Sequence, residues 1–347
     1  MLQYIIINVF QEILAMGNFL EKLEEYTNVA KSKVENILCD DSIVFPVFTD
    51  LHTIDKDHEF TRKLIVSLEA ITRKIKCDAI LDLGDNFNML GRYIQISNEE
   101  LKSRFVELFE EIQATTKLPI INVHGNHDGI GTDFFVSDYW NDITKGKWGN
   151  DRAVYAETGS YYYIDCEKSH TRLISLSLPC GSDLEAENPT PFWRFGREQL
   201  DWMRNTAFAT ERDVIILSHV PFFCSTRGTN QDLLGVWNGT EERMSYIVAL
   251  CGWIDDVDEA VEIINEYDKR PDTRLVACFS GHSHHDSMLA SGEMIKNRTN
   301  PLPCYQIVTA SPFIDIDLAI DIAVWSHKKG QLDMIRVGSG EDRRITF

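Results

Sequence analysis

The chain has 347 residues, of which 44% are hydrophobic, and a formal net charge of −20. That length and apolar content suffice for one large α/β domain or two modest ones around a buried core. The charge repels nucleic acid and anionic membranes, since backbone phosphates are recognised by Lys and Arg, while a small molecule held through bound cations stays compatible with it.

The N-terminal stretch is apolar at 4–9 and 13–16, but Glu12 interrupts it and no Lys or Arg occurs before Lys22. It is too short to span a bilayer and lacks the charged start of an export signal, so it reads as a docking segment or as residues ahead of a start at Met16. Apolar positions at helical spacing over 10–38 predict helices in an N-terminal extension, 1–41, ahead of a single domain, 42–347.

From Ile43 onward, short β-rich runs end in polar motifs and alternate with amphipathic helical patterns at 59–76 and 98–115. The runs at 42–49, 79–83 and 118–123 lead to Asp50, Asp85 and His124 respectively, giving a β-α-β-α-β alternation with polar residues at strand ends. The second half reads as more antiparallel, with strands at 161–165, 171–176, 213–217, 275–280, 304–309 and 319–325. A helix over 196–207 turns Leu200 and Met203 toward the core. Eight cysteines (Cys39, Cys77, Cys166, Cys180, Cys224, Cys251, Cys278 and Cys304) form no C-x-x-C pair, so they are expected to be reduced thiols in a cytoplasmic protein.

Five strand-end motifs carry metal-ligand chemistry. In Asp50-Leu51-His52, alternation along an extended end would point a carboxylate and an imidazole to one side. Gly84-Asp85-Asn86 offers a carboxylate with two oxygens after a turn-permitting glycine. Gly125-Asn126-His127-Asp128 offers an amide oxygen, an imidazole, and a carboxylate able to orient that imidazole. His219 follows a strand and precedes Val220-Pro221, and Gly281-His282-Ser283-His284 places two imidazoles two residues apart. Singly each motif has a structural reading; together, in order and in strand-end context, they indicate a metal centre.

In this order the motifs resemble the calcineurin-like metallophosphoesterase superfamily, whose pattern is D-x-H, G-D-x-x-D, G-N-H-[D/E], a single His and G-H-x-H. The resemblance spans about 43–312 and includes a helix at 198–202 and the strand and turn at 308–312. It implies a four-layer α-β-β-α sandwich of two mixed β-sheets flanked by helices, so that 42–347 would be a metallophosphoesterase domain. Asp50, His52, Asp85 and His284 would hold one metal, and Asp85, Asn126, His219 and His282 the other, with Asp85 as the bridge. His127 would sit beside the substrate, with Asp128 as its orienting partner. Asn88 stands where the family often has a second Asp, and it cannot supply the Tyr ligand of the purple acid phosphatases. Met89 and His124 stand where protein Ser/Thr phosphatases carry Arg.

The expected cofactors are two divalent or mixed-valence ions, for which imidazole, carboxylate and amide ligands suit manganese, iron or zinc. The expected reaction is hydrolysis of a small phosphomonoester or phosphodiester by attack of a metal-bridging hydroxide, with His127 stabilising the transition state or protonating the leaving alkoxide. A nuclease and a catalytically silent metal-binding scaffold are the alternatives: the charge disfavours the first, and a non-ligand His127 beside an intact ligand set disfavours the second. The aromatic segment 129–150 (Phe134, Phe135, Tyr139, Trp140, Trp148) is a candidate substrate wall, as is 221–237 with Phe222, Phe223 and Arg227. His285 is read as structural, His58 as a surface residue at a helix start, and His170 as part of a polar turn.

Overall fold

A computed structural model describes residues 2–53, 58–86, 98–125, 128, 144–157, 160–177, 180–182, 191–222, 254, 256–284, 286–292, 300–313 and 318–347. The chain opens with one continuous helix, α1 (Leu2–Ile37), where the sequence predicted helices from about residue 10. Phe19, Leu23, Ala30 and Val34 recur on one helical face and are buried together with apolar residues of α2 (Glu59–Lys74) and α3 (Asn98–Thr116). Helix α2 starts where His58 Nδ1 accepts from Phe60 N, and Glu59 near its N-terminus and Arg73 and Lys74 near its C-terminus complement its dipole.

Six strands form the first sheet: β1 (Ile43–Phe48), β2 (Ile80–Asp82) and β3 (Ile120–Asn122), then, from the end of the chain, β13 (Ala319–Ser326), β14 (Gln331–Gly338) and β15 (Arg343–Thr346). Its order is β15-β14-β13-β1-β2-β3. The second contains β4 (Val154–Tyr155), β5 (Tyr162–Cys166), β6 (Thr171–Leu176), β9 (Asp213–Ser218), β10 (Leu275–Ser280), β11 (Ser287–Leu289) and β12 (Tyr305–Val308), in the order β11-β12-β10-β9-β6-β5-β4. A separate ribbon pairs β7 (Cys180–Ser182) with β8 (Pro191–Trp193).

Alternation along the strands builds the layers. Val44 and Phe48 face the helices α1 to α3, whereas Ile43, Phe45 and Val47 face the other sheet. On β9, Ile215 and Leu217 join that inter-sheet core, and Val214 and Ile216 turn outward to α4 (Arg197–Trp202) and α5 (Val257–Asp268). The result is the expected α-β-β-α sandwich of two mixed sheets. Leu200 and Met203 are buried as predicted, though the helix passes into a π turn over Met203–Ala207.

The second half is more antiparallel, as expected, at β13, β14 and β15 and at the edge strands β4, β5 and β11, but the centre of the second sheet departs from that reading: β6, β9, β10 and β12 pair in parallel. The crossovers that permit this are helices such as α5, and they gather the carboxyl ends of β9 and β10 on the same rim as those of β1, β2 and β3. Strands β14 and β15 were not predicted because charged residues interrupt their apolar pattern. Their charges pair across the ladder, Asp321 standing opposite Arg336 and Asp333 opposite Arg344.

Cys39, Cys77, Cys166, Cys278 and Cys304 are free thiols. Among the described residues, no helix is long and apolar enough to cross a membrane.

Candidate metal centre

Beyond the strand ends, the loops after β1 and β2 stay zipped together: Asp50 N donates to Gly84 O, His52 N to Asp85 O and Thr53 N to Asn86 O, at 2.8, 3.1 and 2.9 Å. This pairing forces an unusual backbone. Asp50 and His52 have φ of 51° and 48°, Asp85 58°, and His282 and His284 69° and 62°. Side chains of D-x-H and G-H-x-H therefore converge from left-handed turns, not from the extended alternation the sequence suggested. Non-glycine residues in this region cost about 1 kcal/mol or more each and persist only where the surroundings fix them.

The turns bring six predicted residues together in two groups, Asp50 with His52 and His284, and Asp85 with His219 and His282; within each, the candidate donor atoms lie within 4.8 Å of one another. In the first, Asp50 Oδ1 is 3.7 Å from His52 Nε2 and 3.4 Å from His284 Nε2, and the two imidazole nitrogens are 2.9 Å apart. In the second, His219 Nε2 is 3.0 Å from Asp85 Oδ2. The same Asp85 oxygen lies 4.0 Å from His52 Nε2, so it faces both groups. A cation with bonds of about 2.0 to 2.2 Å sets neighbouring ligands roughly 3 to 3.6 Å apart, which is close to the spacing seen.

The hydrogen bonds leave the right atoms available. Asp50 Oδ2 accepts from Thr49 Oγ1 at 2.7 Å and from His282 N at 2.8 Å, while Oδ1 is buried with no hydrogen-bond partner among the described residues. His219 Nδ1 donates to Leu83 O at 2.8 Å, and Nε2 makes no aligned hydrogen bond despite its closeness to Asp85. Buried acceptors turned toward one another are the signature of ligands for a cation. Electrostatics agree: burial opposes charge on His219, yet the Asp85 and Asp50 carboxylates outweigh it and hold that imidazole protonated up to about 10. Asp50 is held well below the usual carboxylate range, against its burial, by His284 and His52.

Behind the rim lies a layer of buried polar groups. Asp128 Oδ2 accepts from Asp85 N at 2.9 Å and Gly125 N at 3.0 Å, and Oδ1 accepts from Asn86 N at 2.8 Å, so this carboxylate clamps the β2 and β3 loops together. Burial, then the charges of Asp85 and Asp82, push it up to about 7. Gly125 is required by the close packing, since a Cβ there would lie 2.2 Å from Asp85 N. His124 Nδ1 sits 3.4 Å from Ser177 Oγ, and burial lowers it to about 4. Ser311 Oγ donates to Asp50 O at 2.7 Å.

Asn126 and His127 lie outside the described residues, as do His285, Phe134, Phe135, Tyr139, Trp140, Phe223 and Arg227. Two candidate wall residues are core residues instead: Trp148 packs on Phe105 and Phe109, and Phe222 on Phe195. His58 and His170 occupy the helix start and the turn expected of them. The sequence reading missed Thr49, Asp82 and Asn122 as site residues, and it named Asn86 and Ser311 only within a motif and a turn, without a role. The signal for two of them was a polar residue within an apolar strand, Asp82 in Ile-Leu-Asp-Leu and Asn122 in Ile-Ile-Asn-Val.

The sequence profile described as calcineurin-like phosphoesterase matches residues 44–286. Among solved structures, a dimetal phosphatase from Danio rerio is similar at 14% identity and a TM-score of 0.57, over 88% of this chain and 98% of that one. A 5'-nucleotidase precursor from Thermus thermophilus is similar at 12% identity and a TM-score of 0.38, over 88% and 54% of the respective chains. At such identities the first likeness bears on the fold alone, and the second is too low to carry argument. No curated protein matches the chain.

Proposed function

Because the chain belongs to the calcineurin-like phosphoesterase family, as a metal-dependent phosphoric ester hydrolase, we propose that it hydrolyses a small phosphomonoester or phosphodiester at a two-cation centre. The observation that carries this reading is the pair of ligand groups on one rim, with Asp85 Oδ2 3.0 Å from His219 Nε2 in one and 4.0 Å from His52 Nε2 in the other. Asp50, His52, Asp85 and His284 hold one cation, and Asp85, Asn126, His219 and His282 the other. Their imidazole, carboxylate and amide donors suit manganese, iron or zinc.

When bound, two such cations would acidify a water molecule and neutralise phosphate oxygens. The protein's own part is to keep the centre electropositive: only two of the seven ligands are carboxylates, against about +4 from two divalent ions, so a phosphate ester can enter a chain of net charge −20. His127 stands beside the ester and protonates the departing alkoxide, with Asp128 as its partner. The free thiols support a cytoplasmic setting.

Turnover of an aryl phosphate and a bis-aryl phosphate, with manganese, zinc and iron supplied separately, tests the proposal. Hydrolysis of at least one ester is expected. Inertness toward both with every metal would overturn it in favour of a silent scaffold. In His127→Ala, turnover should fall while metal content stays near that of the unaltered protein; undiminished turnover would remove His127 from the reaction.

A further inference from the structure

Asp82 ends β2 three residues before Asp85 and is fully buried, as are its chain neighbours Ile80, Leu81 and Leu83. No described Lys or Arg forms an ion pair with it. A buried carboxylate without a cation costs several kcal/mol that an apolar side chain would not, so its presence calls for a role. Its hydrogen bonds indicate one. Oδ1 accepts from Gly84 N at 3.0 Å, and Oδ2 accepts from Asn86 Nδ2 and Asn122 Nδ2, both at 2.9 Å. The carboxylate therefore grips the residues on either side of Asp85, whose own backbone is left-handed, and through Asn122 it grips the end of β3. Asn122 O in turn accepts from Tyr162 Oη at 2.7 Å, tying this point to the second sheet.

The two asparagines show that Asp82 sets the arrangement. Asn86 Oδ1 and Asn122 Oδ1 are buried without a hydrogen-bond partner among the described residues. Both amides turn their NH2 toward the carboxylate at the expense of their carbonyls, since the reverse orientation would set oxygen against oxygen.

We infer that Asp82 is a positioning residue of the metal centre, holding Asp85 and the β3 loop in ligating geometry through hydrogen bonds to Gly84, Asn86 and Asn122. This rests on the two-cation reading above. Removal of a group that orients a ligand typically weakens metal binding about 10- to 100-fold.

Calorimetric titration of the full-length, metal-stripped chain with Mn²⁺, alongside circular dichroism and kcat at saturating Mn²⁺, tests it with three variants. Asp82→Leu should bind Mn²⁺ about 10- to 100-fold more weakly while its spectrum is preserved. Asn122→Leu keeps the charge and removes one strut, and should show a smaller loss. Asp82→Asn should stay close to the unaltered protein, because its carbonyl can accept from Gly84 N while its NH2 donates to the oxygen of Asn86 or Asn122 once that amide turns over. Undiminished affinity and kcat in Asp82→Leu, or in Asn122→Leu should the first variant not fold, would overturn the inference. So would an Asp82→Asn variant as impaired as Asp82→Leu, since charge and not hydrogen bonding would then be the active property. Uptake of fewer than two Mn²⁺ by the unaltered protein would instead bring down the two-cation reading itself.

Discussion

His219 donates its Nδ1–H to the Leu83 carbonyl at 2.8 Å, and this bond turns Nε2 toward Asp85 Oδ2, 3.0 Å away. A carbonyl only accepts, so Nδ1 keeps its proton and Nε2 is the nitrogen left for a cation. With no cation present, the facing carboxylates hold a proton on that imidazole up to about 10. Metal binding must therefore expel it, and affinity should rise with pH throughout the range below 10, by up to about tenfold per unit from this proton alone, with His52, raised by Asp50 and Asp85 against its burial, adding to the rise at the acid end. Asp50, held far below the usual range, is already ionised and adds no proton. In the cation-free chain, the raised His219 value contributes stability that is fully present below the ordinary imidazole pKa and lost as pH rises through about 10. Calorimetric Mn²⁺ titrations between about pH 6 and 8, in buffers of different ionisation enthalpy, should show both the rise and the released proton. Equal affinities with no proton release would contradict this assignment.

Gly125 faces the tightest passage of the centre. A Cβ at that position would lie 2.2 Å from Asp85 N, 2.3 Å from Asp85 Oδ1 and 2.9 Å from Asp128 Oδ2. None of these is the loose end of a flexible chain, since Asp85 N is backbone and both carboxylates are buried. Gly125→Ala should cost at least about 3 kcal/mol in urea unfolding of the cation-free chain, the upper range for overpacking, and should also weaken metal retention because Asp85 is the group displaced. A variant with native stability and native metal content would show that the loops can separate freely.

The strand-end ligands were legible because each sits in a short motif after an apolar run: Asp50, His52, Asp85, His219, His282 and His284 all reach one rim. How they reach it was not legible. The left-handed φ of Asp50, His52, Asp85, His282 and His284 arises from hydrogen bonds between loops far apart in sequence, such as Asp50 N to Gly84 O and His282 N to Asp50 Oδ2. Parallel pairing of β6, β9, β10 and β12 was hidden for a similar reason, since a fully buried strand such as Val-Ile-Ile-Leu in β9 looks alike in either direction. The burial of Asp321 and Arg336 was not legible either, because the partners that satisfy their charges come from other strands and loops: Arg336 and Arg343 for Asp321, and Asp286 for Arg336.

Helix α1 lies outside the matched residues 44–286, yet its inner face shares the core beneath the first sheet. Leu23 is almost fully buried there with Val34, Leu64 and Leu68. Leu23→Ala should lower stability by about 2 to 5 kcal/mol, as for other buried leucines, with a single cooperative urea transition. An unchanged midpoint, or a separate early transition, would make α1 a detachable extension of an independently stable domain.

Asp321 joins the C-terminal hairpin to the loop that carries His282 and His284. Its carboxylate is fully buried, with Arg336 Nε 3.1 Å from Oδ1 and with Arg343 Nη2 and Thr309 Oγ1 donating to Oδ2. Arg336 continues to Asp286, which accepts from Ala310 N at 3.1 Å and lies two residues beyond His284. Asp321→Asn preserves volume but leaves two largely buried guanidinium groups sharing Asp286 alone, and that acid is itself one-third exposed. Removing one partner of a buried ion pair typically costs about 3 to 5 kcal/mol, far more than the pair contributes over an apolar replacement, because the remaining charge keeps its desolvation penalty. Partial compensation by Asp286 places the expected loss near the lower bound, about 3 kcal/mol. Urea unfolding should show a lower midpoint with an unchanged slope, since the native fold and the area exposed on unfolding stay the same. A midpoint within error of the unaltered protein would mean that water already compensates both arginines.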